Sequence, residues 1–184
     1  MIQDILIWPN KVLDNPATPV VEIDDEIQAL ADDLIDTCEL IGGVGLAAPQ
    51  IGVPLQVFVI DIGRATGTGE KYETFINPVQ VQARGAVKMS EGCLSLPGIR
   101  AKVDRYEEFG IEYTTLEGTR ENISSDGVLG QALQHEMDHV NGKVLVEKMS
   151  RIKRPGVRQK MKILKRRMKA AGLTYHDVIR MPEE

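Results

Sequence analysis

The chain has 184 residues, enough for one domain with a terminal extension, and its 42% hydrophobic and 27% charged residues are ordinary for a globular protein. It has no run of 18 apolar residues, so we expect no membrane-spanning helix. Residues 151–169 carry ten Lys or Arg and no acid, so the rest of the chain has 12 basic and 27 acidic residues. This acidic balance argues against broad nucleic-acid binding.

The N-terminus is predicted to be an irregular, mostly extended arm of about twenty residues, because Pro9, Pro16 and Pro19 interrupt regular structure. Residues 1–10 lack the basic start, apolar stretch and small-residue cleavage site of a signal peptide. The two cysteines allow one disulfide but no disulfide framework. Together these features predict a protein of the reducing cytoplasm.

The first helix is predicted to begin at Asp25, where apolar side chains start to recur at helical spacing. Asp24 or Asp25 can cap its first turn, and Gly42 and Gly43 end it. Its apolar stripe consists of Ile27, Leu30, Ala31, Leu34, Ile35, Cys38 and Ile41. On this stripe the Cys38 thiol is interpreted as a small core residue.

Four strands are predicted after this helix. Residues 55–60 form a short apolar run typical of a buried strand, and residues 75–79 form another that ends at Pro78. Residues 101–113 and 116–123 are predicted as strands around a turn at Glu117 and Gly118.

Two helices complete the predicted elements. The first covers residues 127–141 and stops at Gly142, and the second covers residues 152–171. The apolar stripe of the second helix is formed by Val157, Met161, Leu164 and Met168. Because helices and short strands are segregated rather than alternating, the pattern indicates an α+β fold.

The helix over residues 127–141 contains the pattern His-Glu-x-x-His. Residues four apart share one face of a helix, so His135 and His139 can direct two imidazoles at one metal ion. Glu136 flanks this pair and can take a proton from an attacking water. The alternative is that the two histidines are ordinary exposed residues, because five-residue patterns also occur by chance.

A hydrolytic metal site needs a third protein ligand and one open position. Cys93, in the stretch Glu-Gly-Cys-Leu-Ser, is a stronger candidate than His176 because a thiolate and two imidazoles make a tetrahedral site with one vacancy. Two alternatives remain open. A metallopeptidase would use a ligand downstream, for which Glu147 is available, and an RNA-binding module with a structural metal would need a fourth ligand.

Residues 43–50, with the sequence Gly-Val-Gly-Leu-Ala-Ala-Pro-Gln, are a candidate for the donors that stabilise an oxyanion. Their small side chains allow a substrate backbone to approach closely, and Gln50 offers an amide. Taken alone, the segment is better interpreted as a turn between a helix and a strand.

Three motifs together resemble the peptide deformylase family: GVGLAAPQ at residues 43–50, EGCLS at 91–95 and QHEMDH at 134–139. They stand in the family's order and at its usual separations, and the resemblance covers about residues 5 to 165. It implies an α+β fold with antiparallel strands around a central metal-binding helix, followed by a C-terminal helix. It also implies a cytoplasmic, bacterial-type enzyme that removes the N-formyl group from the initiator formyl-methionine of nascent chains and releases formate.

The resemblance implies a metal centre and a proton shuttle. Cys93, His135 and His139 would bind one divalent ion, natively Fe²⁺, with Zn²⁺ or Ni²⁺ as substitutes. Glu136 would act as general base and then as the acid that protonates the leaving amine.

The remaining residues implied by the resemblance would contact the substrate. Gln50 and the backbone N–H of Leu94 would hold the oxyanion. The other substrate-binding residues would be Gly45 and Gly92 along the peptide backbone, Val44, Met89 and Ala132 around the methionine side chain, and Arg100 further along the peptide.

For the chain as a whole, we expect residues 1–171 to form a single catalytic domain and residues 172–184 an extension of unknown role. The basic C-terminal helix is expected to contact the ribosome, whose surface is largely phosphate, although a solvated charged face would explain the same pattern equally well.

Overall fold

Seven strands and six helices position the site in a computed structural model, which describes residues 1–69 and 71–179. The strands are β1 Gly45–Ala47, β2 Val57–Asp61, β3 Tyr72–Arg84, β4 Val87–Gly92, β5 Arg100–Arg105, β6 Glu108–Thr114 and β7 Arg120–Ser125. The helices are α1 Asp25–Leu40, α2 Ile62–Thr66, α3 Gly127–Val140, α4 Leu145–Lys148, α5 Arg154–Ala171 and α6 Tyr175–Ile179. No helix in the described residues is long and apolar enough to cross a membrane.

The strands form two antiparallel sheets. The larger sheet has the order β1-β2-β3-β6-β7, and β4 pairs with β5 in a separate two-stranded sheet. The predicted α+β class with antiparallel strands and a C-terminal helix is therefore confirmed. β1 and β4 were not predicted, because β1 has only three residues and β4 contains no continuous apolar run.

The first helix forms as its sequence predicts, and Asp24 is its N-cap. One carboxylate oxygen of Asp24 accepts hydrogen bonds from the backbone N–H groups of Glu26 and Ile27, both at 3.0 Å. α1 ends at Leu40, so Ile41 is the C-cap rather than a helical residue. Five side chains of the predicted stripe are buried: Ile27, Leu30, Ala31, Leu34 and Cys38.

The prediction that the second strand ends at Pro78 is wrong. β3 continues to Arg84, because its pairing with β6 shifts register between Ile76 and Val79. Asn77 has a φ of 48° at this irregularity, so Pro78 lies in a β-bulge, where a strand tolerates a residue without an N–H. The bounds of two other predicted strands also change: β2 begins at residue 57 and β7 at residue 120.

The single strand predicted over residues 101–113 is two strands, β5 and β6, in different sheets. The extended segment is interrupted at Tyr106, whose backbone is bound by a side chain of α3 rather than by a neighbouring strand. The Gln134 amide donates to the Tyr106 carbonyl at 3.0 Å and accepts from its N–H at 2.9 Å. Both hydrogen bonds of a sheet position are thus made by α3.

Helix α3 contributes its buried apolar side chains to one of two hydrophobic clusters. One face packs on the large sheet, where the cluster contains Phe58, Ile60, Phe75, Phe109, Ile111, Leu129, Leu133, Met137 and Val140. The second cluster joins the N-terminal arm, α1, α4 and α5. The helix that carries the histidine motif therefore packs against the large sheet.

Helix α5 covers the second cluster with its predicted apolar stripe. Val157 and Met161 are buried, while Leu164 and Met168 pack partly buried against the same cluster. The helix begins at Arg154 rather than 152, because the Lys153 N–H is used in a turn to the Ser150 carbonyl. It ends at residue 171, as predicted, and residues 180–184 of the predicted extension lie outside the described residues.

Candidate metal centre and active site

Cys93, His135 and His139 come together although the cysteine and the histidines are more than 40 residues apart. Their candidate ligand atoms all lie within 4.8 Å of one another. The Cys93 Sγ is 3.3 Å from His139 Nε2, and the two imidazole centroids are 5.0 Å apart. His176 and Glu147, the alternative ligands, are not members of this group. One sulfur and two nitrogen ligands fit a divalent metal ion and leave one position for water or substrate.

The surroundings of the two histidines shift their pKa values in opposite directions. Burial, together with nearby His135 and Arg105, lowers the pKa of His139 well below its usual value, which favours the neutral imidazole that a metal ligand must be. Burial acts to lower the pKa of His135 as well, but its hydrogen bonds with Cys93 and Glu91 raise that pKa well above the usual value. A proton on the ligating nitrogen and a metal ion compete for the same lone pair.

Glu91 orients the imidazole of His135. Its Oε2 lies 3.0 Å from His135 Nδ1. Burial alone would raise the pKa of Glu91, but hydrogen bonds from Arg105 and His135 outweigh it and lower the pKa to about 2. The ionised carboxylate accepts the Nδ1 proton and leaves the other ring nitrogen available as a ligand.

Arg105 in turn fixes Glu91 in a buried ion pair. Its Nε and Nη2 bind the two Glu91 oxygens at 2.7 and 2.8 Å, and both side chains are only 3% exposed. The third nitrogen, Nη1, donates to Asp138 at 2.7 Å, and Lys148 pairs with the other oxygen of Asp138 at 3.2 Å. Sequence reasoning missed this network. Glu91 and Asp138 lie inside the two motifs and could have been questioned, whereas Arg105 carries no sequence signal.

Glu136 is a buried carboxyl beside the triad. It is 3% exposed, and burial raises its pKa to about 7. Its Oε2 makes no hydrogen bond to any described residue. A β-carbon at position 45 would lie 2.8 Å from the other oxygen, Oε1, so any residue other than glycine there would displace this carboxyl. Such a carboxyl can both accept and return a proton near neutral pH.

Gln50 faces the triad from the 3₁₀ turn over Ala48–Ile51. Its Oε1 accepts from the Ala47 N–H at 2.9 Å, and its Nε2 donates to Ser95 Oγ at 3.3 Å and lies 4.0 Å from Cys93 Sγ. Because the carbonyl end is bound to Ala47, the amide donor end points toward the metal ligand. This orientation suits an oxyanion donor.

The expected substrate-binding residues lie on several elements. Met89 is half-buried on β4, and Gly92 and Arg100 are exposed at the paired ends of β4 and β5. The Arg100 guanidinium donates to the Ser90 carbonyl at 3.3 Å, so this side chain is bound on β4 rather than at the triad.

Two further substrate-binding candidates lie elsewhere. Val44 is half-buried, and its carbonyl accepts from the Asp61 N–H at 2.8 Å. Ala132 is buried on α3, where the neighbouring Gln131 donates to the Ser90 carbonyl at 3.4 Å. That contact brings α3 beside the segment of β4 that carries Met89.

Comparison with known proteins identifies the family. The model of the polypeptide deformylase family matches residues 2–155. The chain belongs to this family. A peptide deformylase of Acidobacterium capsulatum is 38% identical over 172 residues, which are 94% of this chain and 98% of that protein. One from Rhizobium meliloti is 40% identical over 156 residues, covering 83% of this chain and 88% of that protein.

Solved peptide deformylase structures are similar over almost the whole chain. The crystal structure of the Legionella pneumophila protein has a TM-score of 0.84 at 38% identity and covers 99% of this chain and 100% of that chain. That of the Ehrlichia chaffeensis protein in complex with actinonin has a TM-score of 0.83 at 33% identity, covering 90% and 98%. Members of the family are hydrolases that remove the N-formyl group from nascent peptides, which confirms the activity predicted from the three motifs.

Substitution of Cys93 tests whether the three candidate ligands bind the metal. Replacing Cys93 with Ala should abolish stoichiometric binding, because two imidazoles remain where three ligands are needed. Elemental analysis of protein loaded with Zn²⁺ and then dialysed provides the measurement. Cys38→Ala is the matched control, because Cys38 is also a buried free thiol but lies outside the triad. A full equivalent of metal in Cys93→Ala would show that the ligand set is wrong.

Proposed function

We propose that Glu136, Gln50 and the backbone N–H of Leu94 carry out the family's hydrolysis of formyl-methionine, at an ion held by the triad. The observation that carries this proposal is the buried Glu136 carboxyl beside three potential ligands. One of its oxygens has no hydrogen-bond partner among the described residues. A buried polar atom of this kind is costly unless a ligand or water completes it.

The reaction adds water to the formyl carbon and breaks the bond to the methionine nitrogen. A bound divalent ion would polarise the formyl carbonyl and lower the pKa of water from about 15.7 toward 7. Glu136 takes a proton from the attacking water and returns it to the leaving amine, so that formate and a free amino terminus are released. The Gln50 amide and the Leu94 N–H donate to the oxyanion as charge develops.

The substrate is proposed to bind between β4 and the start of β1. Gly45 and Gly92 would lie along its backbone, since neither has a side chain to obstruct it. The methionine side chain would contact Val44, Met89 and Ala132, and the peptide beyond it would contact Arg100. A formyl group is small enough for a tight recess that excludes an acetyl group by steric contact.

The native ion is proposed to be Fe²⁺, as in the family that the motifs resemble, with Zn²⁺ or Ni²⁺ able to substitute. A thiolate and two imidazoles accept each of these ions. Because Fe²⁺ binds more weakly than Zn²⁺ in the Irving–Williams order, the protein must be purified without oxygen or added metal before elemental analysis. Stoichiometric iron supports the assignment, and stoichiometric zinc contradicts it.

Replacing Glu136 with Gln should keep the fold and the metal but lower kcat by about 10²- to 10⁴-fold, because a neutral amide cannot accept the proton. Turnover of formyl-Met-Ala-Ser is the measurement, with acetyl-Met-Ala-Ser as the substrate that should not react. Glu147→Gln is the control: it changes an exposed carboxylate outside the triad and should leave kcat unchanged. Near-normal kcat in metal-loaded Glu136→Gln would rule out the proton shuttle.

Helix α5 is proposed to dock the enzyme on the ribosome in the cytoplasm, close to the nascent chain. Its apolar stripe packs on the body, which leaves Lys162, Arg166 and Lys169 exposed. Within the described residues, none of these three side chains forms an ion pair. An outward-facing row of unpaired cations suits a surface of phosphates.

Reversing Lys162, Arg166 and Lys169 to Glu should weaken ribosome binding at low salt. If each of the three side chains contacts one phosphate, the negative slope of log affinity against log salt concentration should become shallower by about two to three. Hydrolysis of a free formyl-peptide should be unchanged. The matched control reverses three exposed lysines outside α5: Lys11, Lys71 and Lys143.

Two outcomes would contradict the docking proposal. Unchanged ribosome affinity in the α5 variant would leave the basic face as a solubility feature. Loss of peptide hydrolysis would indicate that these side chains support the fold instead.

A further inference from the structure

Tyr175 joins the C-terminal extension to the active site. It lies in α6, beyond residues 2–155 that match the family, yet it is only 2% exposed. Its hydroxyl donates to the carbonyl oxygen of Leu94 at 2.8 Å. Leu94 directly follows the metal ligand Cys93, so the extension touches the segment that carries the site.

The chain reaches this position through a defined turn. α5 is followed by its C-cap Gly172, whose φ of 65° is readily adopted only by glycine. Thr174 and Asp177 then form reciprocal hydrogen bonds: the Thr174 N–H and hydroxyl donate to the carboxylate at 2.7 Å, and the Asp177 N–H donates back at 3.3 Å. The Tyr175 N–H also donates to Asp4 in the N-terminal arm at 3.4 Å. These bonds direct the ring inward.

Residues 93–96, here called the ligand turn, have a hydrogen bond on each of their four carbonyl groups. The Cys93 carbonyl accepts from the Leu96 N–H at 2.8 Å, and the Leu94 carbonyl accepts from the Tyr175 hydroxyl at 2.8 Å. The Ser95 carbonyl accepts from the Trp8 N–H at 3.0 Å, and the Leu96 carbonyl accepts from the Ile99 N–H at 3.1 Å. Three of these donors are backbone groups. The exception is Leu94, whose carbonyl is held by a side chain of the extension.

The Leu94 N–H, in contrast, donates to no acceptor among residues 1–69 and 71–179. Because a trans peptide is planar, this N–H points opposite to the Cys93 carbonyl, which the Leu96 N–H holds in place. Tyr175 fixes the next peptide plane. The ligand turn therefore cannot rotate at Leu94 without breaking one of two hydrogen bonds.

We propose that Tyr175 is a positioning residue, whose hydroxyl holds the ligand turn so that the Leu94 N–H stays directed at the oxyanion. This inference rests on the proposed function, in which that N–H is an oxyanion donor. If position 175 were needed only for packing, Phe would serve as well as Tyr, because a buried hydroxyl adds no stability unless it is hydrogen-bonded. The extension thereby acquires a role in catalysis.

The test is Tyr175→Phe in the metal-loaded, full-length protein. Loss of an oxyanion donor costs about 10²- to 10³-fold in kcat, and a misdirected donor loses part of this, so kcat should fall about 10-fold. KM and metal content should be unchanged, because the substrate-binding residues and the triad are intact. Tyr113→Phe is the matched control, since Tyr113 is 4% exposed and its hydroxyl bonds to Glu121 at 3.4 Å in the other hydrophobic cluster.

Amide hydrogen exchange over the ligand turn gives a second readout that does not depend on turnover. Exchange should be faster in Tyr175→Phe and unchanged in Tyr113→Phe. Wild-type kcat and exchange in Tyr175→Phe would overturn the inference, and so would a fall in kcat that follows loss of metal.

A Gln50→Ala variant separates this inference from the proposed function. Lowered kcat in Gln50→Ala with normal kcat in Tyr175→Phe overturns the role of Tyr175 alone. Normal kcat in both variants overturns the oxyanion site itself.

Discussion

The buried ion pair between Arg105 and Glu91 is the interaction on which the site depends. A guanidinium and a carboxylate out of water are stable only when each has its partners in place, and removing one partner leaves an uncompensated charge. Here Arg105 binds both oxygens of Glu91 and one of Asp138, so a single side chain of β5 fixes β4 and α3 together. Glu91, fixed in this way, orients His135 through a hydrogen bond with its Nδ1. The geometry of the metal centre is thus set by charges outside it.

The same dependence on surrounding contacts extends to the groups proposed to be catalytic. Gln50 is directed by the Ala47 N–H, and the Glu136 carboxyl lies where a β-carbon at position 45 would contact it. Donors that are fixed in this way need not move as charge develops in a transition state. The proposed role of Gln50 depends on this preorganisation.

The sequence predicted the helices and the chemistry better than the sheets. Helical periodicity and a four-residue spacing are local, so α1, α3 and the histidine motif could be predicted without a structure. The division between β5 and β6 could not, because it depends on Gln134, which takes the hydrogen bonds of a strand from a distant helix. The role of Arg105 could not be predicted for the same reason, because its partners are 14 and 33 residues away in the sequence. Tyr175 lies beyond every motif, and only the path of the chain brings it to Leu94.

The central claim is that charge outside the ligand triad sets the metal centre, and metal affinity in Glu91→Gln tests it most directly. Affinity measured by competition with a chelator should weaken about 10- to 100-fold, because the amide no longer orients His135 as a carboxylate does. Asp138→Asn is the matched control, since it removes the same charge from Arg105 without touching a ligand and should weaken affinity less. Wild-type affinity in Glu91→Gln would contradict the account.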